Sequence, residues 1–449
     1  MKYLFGLLMT IVSSLCISQA SLNMEELGNW DPAGYPTISG LQYSDIWGWT
    51  ADTGEEYAII GGADSILVIN VTECASPERV YGFFAGGTEI WRDFKTYGDY
   101  VYGVCDSCNE GLHILDLGAL PDGDVTHVMS TTEFFGRAHN IYIDEYEDTS
   151  GDTVAKLYAV GVPGATDVIV LDISTDPEDP SLIEEVNFND VTGTTENLYV
   201  HDIYVRQDTA YASHGNDESY RIWDMTDLAD IQELGELNTG DYNHSSWVDA
   251  EGAYAYFAEE VPTGQPMGII DLENIGSTLD DLEFVGDFID PLESSGNPTP
   301  HNPFVRGDYL YISYYEDGIK VYDITDREDP VLHGYYDTYP DNVGSYGGYN
   351  GCWGIYPFLE SGCILSSDDT YGLHTTQMDY QLTDTHTPEV DIDDAVIETG
   401  CYQASNHIRS TGGVSGGNDV TLKGKFSVTL NAGFCVEPGS TFEAKIEDL

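Results

Sequence analysis

The sequence predicts an all-β fold: a seven-bladed β-propeller closed by an N-terminal strand and followed by a small C-terminal β stack. Three observations predict it. A short apolar run ending in Asp or a stand-in recurs at residues 65–70, 111–116, 167–172, 219–224, 266–271, 318–323 and, in degenerate form, 372–377. The copies are spaced by 46 to 56 residues, the length of one four-stranded blade. The stretches between them are rich in Tyr, Val, Ile and Ala and carry no helical period.

Each element can be read in order. Residues 1–20 have the form of a signal peptide, with Lys2, an apolar stretch from Leu4 to Ile17 and the small-residue site Ser18-Gln19-Ala20. Bulky Leu15 argues against lipidation at Cys16. The expected location is therefore secreted or cell-surface. No later stretch has the roughly 20 apolar residues of a transmembrane segment. The segment 21–30 has no partner of its own, and the seventh repeat lacks an outer strand. We expect the first to supply the second and close the ring, with the propeller occupying residues 21–380.

Within a repeat, the innermost strand A opens on a head such as His139-Asn140-Ile141-Tyr142 or His201-Asp202-Ile203-Tyr204. Strand B follows, as in Ala253-Tyr254-Ala255-Tyr256, and strand C is the Asp-ended run. The next turn repeats as 172–180 and 323–330, rich in Asp, Thr and Pro, the residues that cap local backbone groups and stop pairing. A polar strand D closes the blade. Residues 381–398 read as an acidic linker, and Gly-punctuated short strands in 399–449 read as the small β stack.

Composition narrows the partners. There are 79 acidic and 15 basic residues, a formal charge of −64. Such a surface repels nucleic acid and anionic lipid. It suits saline, halophilic or marine surroundings, where salt screens self-repulsion. A monomer is expected, with an unknown protein or glycan at the cell surface as partner. Seven cysteines follow the signal. Cys105 and Cys108 suit a local staple, Cys352 and Cys363 flank a hairpin, Cys401 and Cys435 share the tail, and Cys74 has no evident partner.

Aligning the heads stacks candidate channel residues in two levels. Ser44, Arg92, His139, His201, His244, His301 and Trp353 form the first; Asp45, Asp93, Asn140, Asp202, Ser245, Asn302 and Gly354 form the second. His139, His201, His244 and His301 are candidate ligands for a divalent metal in the channel. They also suit hydrogen bonds that hold blades in register, or contact with a ligand without metal. His214 is a weaker candidate at the rim. The acidic insertion 144–152 offers Asp144, Asp148 and Asp152 to calcium in a surface loop. No nucleotide loop, nucleophile elbow or zinc-protease motif is present, so no catalytic residue is assigned.

The strand C pattern resembles the LVIVD repeat. The wider set, Asp45-Ile-Trp-Gly-Trp, Trp91-Arg-Asp, Ala138-His-Asn, His201-Asp, His301-Asn and Trp353-Gly-Ile-Tyr-Pro357, resembles the secreted bacterial choice-of-anchor B family. The segments 418–423, 430–434 and 442–446 are similar to the coat-hanger stack that ends many secreted Bacteroidota-type proteins. These resemblances imply an exported propeller with an attachment device, and no established reaction. The four-histidine arrangement is similar to that of carotenoid-cleaving oxygenases, which hold iron in a seven-bladed propeller, but no motif is shared. The expected function is thus a binding or adhesion module. The alternative is a metal-dependent enzyme with a four-histidine site.

Overall fold

Seven antiparallel sheets are arranged as predicted in the computed structural model, which describes residues 21–85, 89–164, 166–193, 198–276, 282–289, 298–341 and 348–378, and strand backbones between 389 and 446. The expected signal peptide and linker lie outside or mostly outside these residues. The first blade runs Tyr43–Thr50, Glu56–Gly62, Ser65–Asn70 and Glu78–Phe84, paired in sequence order. The innermost strands of the next six blades are Arg92–Tyr97, Asn140–Glu147, Asp202–Arg206, Tyr242–Val248, Pro303–Arg306 and Cys352–Tyr356.

The ring closes as expected. Met24–Trp30 pairs antiparallel with Gly372–Met378 and becomes the outer strand of blade seven. One further pairing was not foreseen: Ser21–Leu22 adds a fifth strand to blade six, beside Val331–Tyr336. Every C–D pair carries a register shift, and the clasp reproduces it between Glu26 and Gly28. Bulges increase twist, so the same device turns the outer edge of each blade. A short helix, Phe188–Thr192, also unforeseen, lies between blades three and four with Asn187 capping its start. Among the described residues no helix is long and apolar enough to cross a membrane.

There is no single core. Seven apolar clusters each fill one blade-to-blade interface; Val168, Val170 and Phe188 of one side meet Ile203, Val205 and Trp223 of the other. The clasp joins this system, because Met24 is buried with Tyr309, Ile319 and Met378 between blades six and seven.

The recurring Asp has a local reason. Asp116, Asp172, Asp224, Asp271 and Asp323 each accept the backbone N–H two residues on, at 2.7–3.0 Å, and Asn70 does the same for Thr72 at 3.0 Å. Asp172 also accepts the hydroxyls of Ser174 and Thr175 at 2.6 and 2.7 Å. These turns then serve the neighbouring blade. The Tyr102 hydroxyl donates to the Pro177 carbonyl at 2.8 Å, and Tyr256 does likewise to Arg327 at 3.1 Å. Asp172→Ala should therefore destabilise the chain by about 1–2 kcal/mol in chemical denaturation, since a half-exposed acceptor of several bonds is lost. An unchanged midpoint would contradict that role.

The glycine that opens strand C in three blades is required by backbone geometry. Gly111, Gly318 and Gly372 have φ of 71°, 72° and 81°. A Cβ at Gly372 would strike the Trp30 carbonyl of the clasp.

The cysteine pairing differs from the sequence expectation. Cys352 and Cys363 stand at opposite ends of the A–B hairpin of blade seven, with Cys352 opposite Asp368. Cys363 instead bonds Cys74 of blade one, 289 residues away, and Cys352 is a buried free thiol. Cys105 and Cys108 form the local staple. In the tail, strand backbones pair in parallel, His407–Ser410 between Glu389–Ile392 and Ser427–Leu430, and Asp419–Gly424 between Gly400–Ala404 and Thr441–Ile446.

Candidate functional site at the channel mouth

Strand A starts at one face of the ring, so its first residues meet the B–C turns and D–A connections there. His139, His201, His244 and His301 come together in a row, with ring centroids 4.3, 4.5 and 4.3 Å apart, and Trp353 continues it at 4.7 Å from His301. The row is knit across blades. Nδ1 of His201 faces the carbonyl of His244 at 3.0 Å, that of His244 the carbonyl of His301 at 3.1 Å, and that of His301 the carbonyl of Trp353 at 2.6 Å. A carbonyl only accepts, so each Nδ1 carries the proton and each Nε2 is left with its lone pair. His139 differs: its Nδ1 faces Asp106 at 3.4 Å.

The electrostatics follow from these partners. Burial, then neighbouring imidazoles, holds His201 and His301 well below the usual histidine range. Burial also lowers His244, against the pull of Glu260. For His139 burial is outweighed by the bond to and charge of Asp106, and its pKa rises. The row thus holds one imidazole that favours the proton and three that resist it.

Below the row, the second level forms an acidic chamber. Asp45, Asp93, Asn140, Asp202, Ser245 and Asn302 line a cavity of about 40 Å³, space for a few waters. Burial, then the charge of Asp93 and a hydrogen bond to it, pushes the Asp45 carboxyl far up. Burial raises Asp202 to about 7. Lys95 is the counter-charge: its Nζ is 2.7 Å from Asp93 and sits 4.4 Å from the Trp47 ring centroid. Burial opposes its charge, but Asp93 and Asp45 more than offset this and raise its pKa. The Asp93 carboxylate also accepts the N–H of Ile141 at 2.7 Å, tying blade two to blade three.

The far end of the bore is lined by rings. Trp47, Tyr142, Tyr204, Trp247, Phe304 and Tyr356 occupy the fourth position of six strand A heads, and Lys95 occupies it in blade two. Trp247 packs 4.6 Å from Tyr204, 4.8 Å from Phe304 and 5.7 Å from Phe358. Tyr142, Tyr204, Trp247 and Phe304 also line the cavity that holds the acidic groups, so its far wall is aromatic.

Most of the candidates from the sequence line these spaces. Arg92, His139, His244, His301 and Trp353 border the mouth, together with Asp45, Asn140 and Asn302. Three do not line either cavity: Ser44 is buried beside Gly61, His201 lies within the imidazole row, and Gly354 packs against Asp45 and Ser367. His214 is not at the rim. It is buried against Phe188 and Trp223, its Nδ1 faces the Leu198 carbonyl at 3.1 Å, and burial pushes it down to about 3. The acidic insertion does not assemble a calcium loop. Asp144 is buried and turned to the backbone of Gln207 and Asp208 at 3.1 and 2.9 Å, whereas Asp148 caps its own turn through Ser150 and Asp152.

The four histidines do not converge on one point. Two of them, His201 and His244, instead join Glu260 in a set whose ligand atoms all lie within 4.8 Å of one another. Glu260, Asp106 and Tyr315 were missed because they lie in or beside B–C turns, which carry no repeated signature. The aromatic wall was legible: it follows at one constant offset from the aligned heads.

Comparison with known proteins adds little to this picture. No protein-family model matches the chain, and no curated protein does. Among solved structures it is similar to the β-propeller domain of Myceliophteria thermophila Cps50 (Swd1), at 11% identity and a TM-score of 0.49, covering 75% of this chain and 97% of that one. The fold assignment rests on the sheet pairing described above.

Proposed function

We propose that the chain is an exported or cell-surface binding module whose ligand is met at the channel mouth and not inside the bore. The observation that carries this reading is an aromatic rim at the mouth of a channel whose inner cavity holds only about 40 Å³. Trp91 and Tyr349, each 39% exposed, stand at the mouth with Tyr199, Tyr242 and Trp353. Exposed rings around carboxylates and imidazoles offer flat apolar faces with polar neighbours, the surface that sugars and extended peptides engage. The resemblance to LVIVD repeats and the choice-of-anchor B family supports export, as does a disulfide joining the first and last blades. In this reading the tail, residues 399–449, is a separate stack serving attachment, and the acidic exterior is an adaptation to salt.

The full chain lacking residues 1–20 should bind cell-envelope glycans or envelope proteins on an array. Trp91→Ala and Tyr349→Ala should each weaken binding by about tenfold, the effect of losing roughly 1.4 kcal/mol of contact, without moving the melting temperature. Undiminished binding by both variants would place the ligand elsewhere and defeat the proposal.

A further inference from the structure

We propose that the mouth holds a divalent transition metal of the zinc class on His201 Nε2, His244 Nε2 and the Glu260 carboxylate. The argument is geometric and independent of the rim reading. One ligand atom from each of the three residues lies within 4.8 Å of the other two, with His244 Nε2 3.8 Å from Glu260 Oε2. A tetrahedral ion with bonds near 2.1 Å needs its ligands about 3.4 Å apart, so modest rotations close the set.

Each ligand is already oriented by a second partner. The Nδ1 protons of His201 and His244 are held by the carbonyls of His244 and His301. The Tyr315 hydroxyl donates to Glu260 Oε1 at 2.6 Å, leaving Oε2 toward His244. Ligating imidazoles and carboxylates are characteristically held in this way. The backbone supports it too, because consecutive blades supply His201 and His244, and the B strand of blade five supplies Glu260. The Glu260 side chain is 18% exposed, so the site can be reached from solvent. Two imidazoles and one carboxylate leave a fourth position for water or for an oxygen of a bound ligand. Imidazole donors favour zinc, copper or nickel over calcium and magnesium. His139 and His301 fall outside the set, the first being turned to Asp106.

The test uses the untagged full chain, because a polyhistidine tag would bind the same ions. After equilibration with zinc in 0.5 M sodium chloride and millimolar calcium and magnesium, which occupy the acidic exterior, we expect one zinc per chain by elemental analysis. Cobalt in its place should give the intense visible absorption of a four-coordinate ion. Glu260→Gln, which keeps the Tyr315 hydrogen bond, and His244→Ala should weaken zinc binding by about 100-fold or more, since even second-partner changes cost 10–100-fold. Tyr315→Phe should cost about tenfold, and His139→Ala should leave the stoichiometry at one. The proposal fails if wild type holds no stoichiometric zinc, or if folded Glu260→Gln binds zinc as wild type does. It also fails if His139→Ala releases the ion. Ligand capture on the array with and without chelator reads the rim separately, so one proposal can fall while the other stands.

Discussion

Deleting residues 21–32 is expected to remove at least 5 kcal/mol of stability, enough to leave most of the chain unfolded or associated at room temperature. The segment carries the whole outer strand of blade seven, from Met24 opposite Met378 to Trp30 opposite Leu373. It brings Met24 into the core between blades six and seven, worth about 2 kcal/mol of burial alone. Its polar side chains are engaged as well. Glu26 meets His374 Nδ1 at 2.7 Å, Asn29 Nδ2 donates to the carbonyls of Tyr371 and Leu373 at 2.9 and 3.1 Å, and Asn23 Nδ2 donates to His333 at 2.8 Å. Backbone pairs add about 1 kcal/mol each, and the loss is comparable with the 5–15 kcal/mol that holds an ordinary domain together. The exposed edge left behind is a template for intermolecular pairing. Truncation before Thr399 should change the melting temperature by no more than about 2 °C, since a separate unit would be lost. Thermal melts and light scattering of the two truncations decide the matter. Equal melting of the full chain and the 21–32 deletion would refute the clasp.

The second large effect is expected at the same seam. Cys74→Ser should lower stability by about 2–5 kcal/mol, because a bond across 289 residues removes much of the freedom of the unfolded chain. The neighbouring contacts align with it: the Thr375 hydroxyl donates to the Cys74 carbonyl at 2.6 Å, and the Glu56 carboxylate accepts the Ser361 N–H at 2.9 Å. Reductant should lower the wild-type melting temperature and leave a Cys74→Ser, Cys363→Ser variant nearly unmoved. Equal sensitivity of the two would show that the bridge is energetically idle.

What the sequence revealed is what each blade does for itself. The Asp at the end of strand C acts within two residues, so its signal repeats with the chain and is read directly. The clasp was legible because one repeat lacked a strand and one segment lacked a sheet. The histidine row was visible as an alignment, but its acceptors were not. They are carbonyls of the following blade, 43, 57 and 52 residues on, and carbonyls have no letter in a sequence. Glu260 hid for another reason: it closes strand B, where side chains differ from blade to blade. Cys74 had no evident partner and Cys363 was read beside Cys352, whereas ring closure brings the two ends of the chain together. Asp144 was grouped with Asp148 and Asp152 by proximity in sequence, although pleating and burial send it toward blade four.

The few cations of the propeller are turned inward. Arg92 pairs with Glu110, Lys95 with Asp93, Lys156 with Asp208, Arg221 with Glu233 and Glu236, Lys320 with Asp317, and Arg327 with Asp249 and Asp308. Arg206 and Arg306 hold carbonyls of the next blade. Among the described basic residues, Arg79 and Arg137 are the exposed ones, and Arg79 lies within a paired strand. A trypsin-like protease, which must draw an extended Lys or Arg into its own cleft, therefore finds in the folded ring little besides the loop at Arg137. The internal pairing that ties the blades also withholds cleavage points, which would prolong the life of such a ring wherever trypsin-like hydrolases are met.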